Sequence, residues 1–303
     1  MSRNKKVKVY KPFEPWVPRC MDYDIEAALN TLCPKWKDIL TNKYAHYRTF
    51  TIPKRDGSKR LITAPDKEMK EIQKVILTLF EQKGRAFPSK WAHGFAKFKS
   101  PVTNAREHKG AQIVLIMDIK DFFPSITYEM IEKQYGGLAA QFCTFHGRAG
   151  QGMPTSPWIG NVLLLPMDNA IAHWCEMHSP QLIYTRYADD ITISSKEYCN
   201  MKRVKRSVRK LIKRAGFDIK PEKTRILQPH VKMSITGIVI NNGEHVSREF
   251  RRNLRSEINH YRRSPDPGIR NQIRGKIAWV MAANREQGKK LMALMEEEKK
   301  EQK

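Results

Sequence analysis

One segment constrains the fold more than any other: the apolar run Ile113–Met117, which ends on Asp118. A continuous apolar run of this length is typical of a strand covered on both faces, whose last residue emerges into a cleft. A second apolar segment, Leu182–Ser195, contains Asp189 and Asp190 and is predicted to form two strands joined by a tight turn. The chain is therefore expected to build a sheet with carboxylates at the ends of buried strands.

These carboxylates predict a metal site. Two adjacent aspartates at the tip of an apolar hairpin repel each other and lose hydration, which is costly unless cations compensate. With Asp118 alongside, three carboxylates could hold two Mg²⁺ ions roughly 3.5–4 Å apart, the arrangement of nucleotidyl transfer. Hard oxygen ligands favour Mg²⁺, for which Mn²⁺ can substitute, over zinc. The alternative is that Asp189 and Asp190 form an ordinary polar turn.

The charge balance indicates a polyanionic partner. The chain has 56 Lys and Arg against 31 Asp and Glu, a net charge of +25, and residues 201–303 alone hold 27 basic and 11 acidic residues. Nucleic acid is the first candidate, although ribosomal, chromatin and membrane-surface proteins share such a composition. The five cysteines show no CxxC spacing and predict reduced thiols in a cytoplasmic protein. The sequence contains no run of eighteen apolar residues, so no membrane span is predicted.

Hydrophobic periodicity and capping residues predict the remaining elements. Residues 47–64 should form a hairpin with its turn at Asp56-Gly57. Residues 1–20 should form a basic arm that is either a disordered tail or a docked strand or helix. The predicted helices are about 67–82, 127–135 with Thr127 as cap, 157–175 kinked at Pro166 with Ser156 as cap, 202–215, 247–262, and a last helix from about 269.

Five motifs occur in the order in which reverse transcriptases carry them. They are the hairpin Lys54–Arg60, Met117–Ile126, Gln151–Pro157, Tyr187–Asp190, and Gly216-Phe217 with Lys223-Thr224. Tyr187–Asp190 resembles the YxDD box of that family, and Gln151–Pro157 is similar to its QGxPxSP element. Each motif alone is a weak signal, but the ordered set over about residues 47–240 is not a chance match.

Two further motifs narrow the resemblance. Asn104–His108 looks like the NAxxH motif of bacterial retron reverse transcriptases, and Ile235–Gly237 looks like their VTG motif with Ile in place of Val. Three residues depart from the family pattern: Met153, Pro166, and Lys220 where the family usually has Asn. These departures change the template or nucleotide contacts that the resemblance would imply, but they do not change the polymerase chemistry that it implies.

The resemblance implies an α+β fold, the right-hand polymerase fold with fingers, a palm whose antiparallel sheet carries the catalytic aspartates, and a helical thumb. After the arm at 1–20, the expected fingers span 21–110 with part of the palm, the palm 111–240, and the basic thumb and RNA-binding region 241–303. Asp118, Asp189 and Asp190 would be catalytic, and the metal set would also include Ile119.

The resemblance also assigns a nucleotide site. It places Phe123 at the family's steric gate, where an aromatic face leaves no room for a 2′-hydroxyl and favours dNTPs. Lys54 and Arg60 would lie over the triphosphate, Gln151 near the nascent base pair, and Lys223 where the family has a lysine proposed to protonate pyrophosphate. The alternatives are a core phenylalanine, solvated basic residues, and a capping or turn role for Gln151. Asp121 is expected to be a structural cap outside the metal site.

RNA contacts are expected in two places. Asn104 and His108 could hydrogen-bond RNA, or they could be a buried pair that organises the loop before the Asp118 strand. The thumb would grip the backbone of RNA or hybrid through basic residues at helical spacing, unless that face is merely solvated. This set is Arg248, Arg251, Arg252, Arg255, Arg262 and Arg263, with Tyr261 for stacking.

The implied function is copying part of a structured noncoding RNA into single-stranded DNA. Family membership implies priming from a 2′-hydroxyl of that RNA, a branched RNA–DNA product, and an antiphage role with an effector protein. Two alternatives are a group II intron type reverse transcriptase, which usually continues into further domains, and an idle RNA-binding scaffold with the same fold. The carboxylate triad disfavours the scaffold.

Overall fold

A computed structural model describes residues 20–54, 57–84 and 87–296 as a mixed structure of helices and sheets. The helices of this part of the chain are α1 (Asp22–Leu32), α2 (Trp36–Thr41), α3 (Lys67–Lys83), α4 (Pro101–Glu107), α5 (Tyr128–Tyr135), α6 (Gly137–Cys143), α7 (Ser156–Leu163), α8 (Leu165–His178), α9 (Met201–Arg214), α10 (Arg248–Arg263), α11 (Pro267–Ala283) and α12 (Arg285–Glu296). The strands are β1 (Tyr47–Pro53), β2 (Lys59–Pro65), β3 (Ile113–Asp118), β4 (Leu182–Tyr187), β5 (Asp190–Ser195), β6 (Arg225–Leu227), β7 (Ser234–Ile235), β8 (Ile238–Val239) and β9 (His245–Val246). The expected α+β class is confirmed.

The central sheet has the strand order β4-β5-β3-β6, with antiparallel pairing throughout. Tyr187 pairs with Asp190, so a turn of two residues, Ala188 and Asp189, joins β4 to β5. Ala188 adopts a left-handed φ of 54°, which a tight turn of this kind requires. In the other direction Asp118 pairs with Asp190 across β3 and β5. The sheet register therefore brings the predicted carboxylates together.

The strand β3 lies between two hydrophobic cores. All six of its residues are buried. Ile113, Leu115 and Met117 belong to the core formed with helices α1, α3 and α5 to α9. Val114 and Ile116 face a second core, which α4 and the C-terminal helices α10 to α12 complete. Because successive side chains of a strand point to opposite faces, both faces of β3 are apolar.

The hairpin β1–β2 is attached to the loop that precedes α7. The Thr63 N–H donates to the Gln151 carbonyl over 2.7 Å. Gly152 has a φ of 111°, and a Cβ there would lie 2.9 Å from the Thr63 carbonyl oxygen. Glycine is required at this position because the two segments approach each other backbone to backbone. One face of the hairpin is thereby held over the turn that carries Asp189.

Most of the predicted elements are confirmed, with two corrections at helix ends. Thr155, not Ser156, precedes α7, and the Ser156 hydroxyl donates instead to the Gly150 carbonyl. The single last helix expected from about residue 269 is wrong: α11 and α12 are separated at Asn284, whose side chain accepts a hydrogen bond from the Gln287 N–H. The expected arm at 1–20 lies outside the described residues except for Cys20.

The five cysteines all fall within the described segments and carry free thiols. Within those segments, none of the helices combines the length and the apolar character needed to cross a membrane.

Candidate active site

Three aspartates meet at one edge of the central sheet. Asp118 ends β3 and is 4% exposed, and Asp190 begins β5 directly opposite. Asp189 lies in the turn, and its carbonyl accepts a hydrogen bond from the Ile119 N–H over 2.9 Å. The predicted catalytic residues are therefore clustered by strand pairing alone.

Burial and neighbouring negative charge raise the pKa of Asp189 and Asp190. Burial, followed by repulsion from Asp189 and Asp118, raises the pKa of Asp190 from 3.8 to about 6. Burial and the charge of Asp118 likewise raise the pKa of Asp189. Like charges that are desolvated together favour a bound cation.

Two lysines approach this cluster. Lys223 Nζ lies 3.1 Å from one carboxylate oxygen of Asp118, and Lys220 Nζ lies 3.5 Å from the other. Burial lowers the pKa of Lys223, but its hydrogen bond to Asp118 and the charges of the aspartates outweigh burial and raise it overall. The motifs identified Lys220 only as a departure from the family pattern, and they did not predict its position beside Asp118.

The residues present fit a pair of divalent cations. Asp118 Oδ1 is buried, makes no hydrogen bond with the described residues and lies 3.5 Å from the Lys220 ammonium. It could serve as a metal ligand when that ammonium moves aside. The side chain of Ile119 is 0% exposed and apolar. Ile119 can contribute to a metal site only through its backbone carbonyl, because its side chain offers no ligand atom.

A cavity of about 370 Å³ adjoins the aspartates. Its lining includes Asp189, Phe123, Gln151 and Arg60, so the sheet edge, the loop before α7 and the hairpin β1–β2 all contribute to it. Lys54 is not part of this lining. It follows β1 at the tip of the hairpin, where its N–H donates to the Ser58 carbonyl. The structure thus brings together three of the predicted nucleotide-binding residues around one cavity, and their roles stay predictions.

A buried polar network supports the β4–β5 turn at Ala188 and Asp189. The Arg186 guanidinium donates to both oxygens of Asp168 over 2.8 Å, and both side chains are 0% exposed. The same guanidinium donates to Asn161 Oδ1 and to the Ala188 carbonyl, the latter over 2.9 Å. Sequence reasoning missed this network because arginine and aspartate on their own predict exposed positions. The signal available was Asp168 within an apolar helix.

The expected RNA contacts of Asn104 and His108 are not supported, since both side chains are 0% exposed. The ring nitrogens of His108 lie 2.7 Å from the hydroxyls of Ser194 and Thr185. Burial lowers the pKa of His108 to about 3, so the ring is neutral. The alternative, a buried residue that organises the structure before the Asp118 strand, fits the contacts of His108 with β4 and β5. The side-chain amide of Asn104 is buried and makes no hydrogen bond with the described residues.

The basic set expected to bind RNA lies mainly on α10. Its members differ in exposure. Arg248, Arg252, Arg255 and Arg263 are exposed, whereas Arg251, Tyr261 and Arg262 are partly buried. Arg251 Nε donates to the Val246 carbonyl, and Tyr261 packs against the second core. The exposed arginines remain candidates for RNA contact, and the stacking role expected of Tyr261 stays a prediction.

Comparison with known proteins gives a consistent result. A family model described as "Reverse transcriptase (RNA-dependent DNA polymerase)" matches residues 52–240. The Myxococcus xanthus protein "Retron Mx65 reverse transcriptase" is 33% identical over 81% of this chain and 63% of its own length. "Retron Mx162 reverse transcriptase" from the same organism is 32% identical over 83% of the chain and 61% of its length. The chain thus spans less than two thirds of these relatives.

A solved structure of telomerase from Candida albicans with a fragment of telomeric RNA is similar at a TM-score of 0.46 and 11% identity, over 85% of this chain and 58% of that one. The resemblance to retron reverse transcriptases that the motifs indicated is confirmed by the sequence relatives. Since the family model covers well over half of the residues, this chain belongs to the reverse transcriptase (RNA-dependent DNA polymerase) family.

Proposed function

We propose that this protein is an RNA-directed DNA polymerase. The observation that carries the proposal is the cluster of Asp118, Asp189 and Asp190 beside the cavity that Phe123 and Gln151 line. In a right-hand description, the fingers are residues 21–110, the palm 111–240 and the thumb 241–303. The hairpin β1–β2 then belongs to the fingers, the central sheet to the palm, and α10 to α12 to the thumb.

The chemistry requires two divalent cations, Mg²⁺ in the first instance, which activate the 3′-hydroxyl and stabilise the leaving pyrophosphate. The three aspartates would hold them. Lys223 already lies 3.1 Å from Asp118, and its ammonium group can donate a proton to the departing pyrophosphate. Lys220 lies 3.5 Å from the other carboxylate oxygen of Asp118 and would add positive charge near the developing negative charge of the leaving group.

The cavity beside the aspartates would select and hold the dNTP. Arg60, and Lys54 beyond it towards the hairpin tip, would contact the triphosphate. Phe123 is half-buried, and its ring is braced by Phe122 at 4.9 Å. A fixed aromatic face at the sugar excludes a 2′-hydroxyl by volume and offers it no hydrogen-bond partner. Gln151 would contact the nucleotide near the nascent base pair.

The template we propose is a cognate structured noncoding RNA, as in a retron. The names of the relatives support this proposal, as do two basic faces, α10 and the outer face of α9. The product would be single-stranded DNA primed from a 2′-hydroxyl of that RNA and left as a branched RNA–DNA molecule. We further propose a bacterial cytoplasmic location and an antiphage role with an effector protein, both inferred from the family resemblance.

The test is DNA synthesis by the purified protein when it is supplied with the noncoding RNA encoded beside its gene, dNTPs and Mg²⁺. Asp189→Ala and Asp190→Ala should each reduce the rate at least about a thousandfold, because several kcal/mol of metal-based stabilisation is lost. The matched control is Asp121→Asn. Asp121 is 60% exposed, lies within 3.9 Å of Lys220 and belongs to no proposed metal set.

Near-wild-type synthesis by the Asp189 and Asp190 variants would refute the metal assignment. If the protein binds the RNA but neither wild type nor Asp121→Asn makes DNA, the chain is an RNA-binding scaffold. A cDNA that remains joined to RNA until a 2′,5′ debranching enzyme acts would support the retron assignment, and free cDNA would contradict it.

A further inference from the structure

A second cavity, of about 350 Å³, lies beside the first half of β4, within the range of about 300–1,000 Å³ typical of ligand clefts. Its walls come from the loop before α4, the end of α4 and the second half of α8. The side chains that carry its chemistry are Lys90, Trp91, His93, Glu107 and Glu176, and we call the space between them the β4 cavity. Among the described residues, it shares none of its lining with the cavity beside the aspartates.

The loop that forms one wall of the β4 cavity is fixed to the central sheet. The Arg186 N–H donates to the Trp91 carbonyl over 2.9 Å, and the His93 N–H donates to the Arg186 carbonyl over 2.7 Å. This segment therefore extends the sheet beyond the edge of β4. Because the wall is held by backbone hydrogen bonds, a ligand would meet a preformed surface and would not have to order a loop.

His93 gives the cavity a buried hydrogen-bond acceptor. His93 is 2% exposed, and its Nδ1 lies 2.9 Å from Thr103 Oγ1. The Thr103 hydroxyl donates its only proton to the Ser100 carbonyl, so we assign the proton between the two side chains to Nδ1. Burial and the charge of Lys99 lower the pKa of His93 from 6.5 to about 4, so the ring is neutral and Nε2 is unprotonated. Nε2 makes no hydrogen bond with the described residues and can accept one from a ligand.

Two carboxylates add further acceptors. Glu107 ends α4 and Glu176 lies on α8, and both are exposed. Neither forms an ion pair with the described residues, although the chain has a net charge of +25. A metal does not explain the set, because the ligand atoms of these acceptors are not grouped closely enough among the described residues to hold an ion. The cavity therefore suits a ligand that presents N–H donors.

An aromatic ring and a lysine complete the site. Trp91 is partly exposed, and Lys90 Nζ lies 4.6 Å from the centre of its ring. A ring face that an exposed lysine side chain can cover is also accessible to a flat base, since the flexible lysine can move aside. Unpaired bases stack on such rings while their edges are read by hydrogen bonds, and the displaced ammonium can meet a phosphate.

The acceptors identify the base. Among the four bases of RNA, guanine alone presents two adjacent donors, N1–H and N2–H₂, which one carboxylate can accept together. A guanidinium group would offer a similar pair of donors. The ammonium of Lys90 at the rim and the net charge of +25 disfavour a second cation and favour a ligand that carries phosphate.

We propose that the β4 cavity binds an unpaired guanosine nucleotide, either free or within an RNA loop. The base stacks on Trp91, its N1–H and N2–H₂ groups donate to Glu107, Glu176 and His93 Nε2, and its phosphate contacts Lys90. The inference goes beyond the proposed polymerase function and does not depend on it, so the test measures binding alone.

The experiment is isothermal titration of the purified full chain with GMP, IMP and AMP. EDTA is present throughout, so that no divalent cation can hold a nucleotide at the aspartates. IMP lacks the N2 amino group, and AMP lacks both donors of the guanine edge. The wild type should bind GMP at least about tenfold more tightly than either, as expected when a bidentate contact is lost.

The double variant Glu107→Gln with Glu176→Gln should weaken GMP binding at least about tenfold and abolish the preference over IMP. The sign of this effect is diagnostic. Removing two negative charges would by electrostatics alone strengthen the binding of an anionic nucleotide, so weaker binding identifies contacts with the base. The matched control is Glu26→Gln with Glu71→Gln, two exposed glutamates on α1 and α3, which should keep the preference for GMP.

The stacking contact is tested at Trp91. Trp91→Ala should weaken GMP and IMP alike at least about fivefold, as expected for the loss of one stacked base. Trp91→Phe keeps an aromatic face and should retain most of the affinity. Binding by Trp91→Ala at the wild-type level would show that GMP lies elsewhere.

Two RNA hairpins distinguish the sources of the nucleotide. Their loops consist of uridines with either one guanosine or one inosine, so that binding to basic surfaces cancels in the ratio of the two affinities. A preference for the guanosine hairpin that the Glu107 and Glu176 double variant loses would place the ligand within RNA. Discrimination between GMP and IMP without discrimination between the hairpins would identify a free nucleotide.

Equal affinity of the wild type for guanosine and inosine in both forms would overturn the proposal. GMP binding that the double glutamine variant leaves unchanged or strengthens would do the same. Saturable binding of N-acetylarginine amide without any binding of GMP would instead identify a pocket for a basic protein side chain.

Discussion

At the scale of single residues, Phe123 is the residue that we propose selects deoxyribonucleotides. We expect Phe123→Val to lower the preference for dATP over ATP by about 10- to 200-fold, because the pocket loses the ring that excludes a 2′-hydroxyl. The measurement is kcat/KM for both nucleotides in single-nucleotide addition.

Phe142→Leu is the control for Phe123→Val. Phe142 is 0% exposed and packs in the first core against Trp36, away from the cavity beside the aspartates, so this change should lower stability and leave the sugar preference intact. Unchanged selectivity in Phe123→Val would mean that Phe123 is an ordinary core residue.

His108 makes stability depend on pH. Its pKa is lowered from 6.5 to about 3 by burial, so the unfolded chain binds a proton below pH 6.5 that the folded chain does not. Stability from this residue is therefore complete above pH 6.5 and declines as the pH falls towards 3. Between pH 7.5 and 5, the free energy of unfolding of the wild type should fall by about 2 kcal/mol more than that of His108→Gln.

Urea denaturation at both pH values measures this difference. His230→Gln, which alters an exposed histidine, should fall in parallel with the wild type. A parallel fall for His108→Gln as well would show that the ring is not held neutral in the folded state.

The types and order of residues predicted where the three aspartates meet, but they did not predict which polar side chains are buried. Asp118, Asp189 and Asp190 could be predicted because an apolar run ending on a carboxylate is itself a local pattern. Asn104 and His108 carried a motif whose residues suit RNA contact and internal hydrogen bonding equally well. Only the packing of α4 against β4 and the hydroxyls of Ser194 and Thr185 decides between the two.

At the scale of helices and strands, the ion pair between Asp168 and Arg186 joins α8 to β4 next to the turn at Ala188 and Asp189. Asp168→Asn should lower the free energy of unfolding by about 3–5 kcal/mol, because it leaves a buried guanidinium without its counter-charge. The double variant Asp168→Leu with Arg186→Met should recover much of that stability. It should remain slow in DNA synthesis, since the Ala188 carbonyl still lacks its donor.

Chemical denaturation and single-turnover rates together test this pair. Glu286→Gln, which weakens the exposed pair with Lys289, should cost less than about 1 kcal/mol. A double variant with full activity would show that Arg186 contributes stability alone and does not position the turn.

Periodicity and capping residues predicted the regions of α3, α5, α7 to α12 and β1 to β5, whereas α1, α2, α4, α6 and the short strands β6 to β9 were not predicted. The break at Asn284 separates two segments that each continue an apolar pattern, so the pattern alone indicates one helix. The helix pair α7 and α8 was predicted as a kinked helix because Pro166 is visible in the sequence. The network of Asp168, Arg186 and Asn161 joins three elements, and no local pattern records such a contact.

At the scale of the whole molecule, positive charge concentrates on the C-terminal helices. Replacing Arg248 and Arg252 of α10 with alanine should weaken RNA binding and reduce the slope of log Kd against log salt by about one for each phosphate that the protein no longer neutralises. The matched control is Lys70→Ala with Lys74→Ala, an exposed pair at the same spacing on α3. Binding titrations from low to physiological salt provide the slopes. If the two double variants have equal slopes of log Kd against log salt, the α10 face is merely solvated.

The strand β3 gives alternate side chains to two cores and ends on Asp118. Neither core can open without uncovering one face of that strand, so local opening of the C-terminal helices also loosens the support of the catalytic edge. In hydrogen exchange, the β3 amides should therefore be among the slowest in the chain and should exchange only through global unfolding. A destabilising substitution in either core would therefore weaken the support of Asp118, even when it lies far from the aspartates.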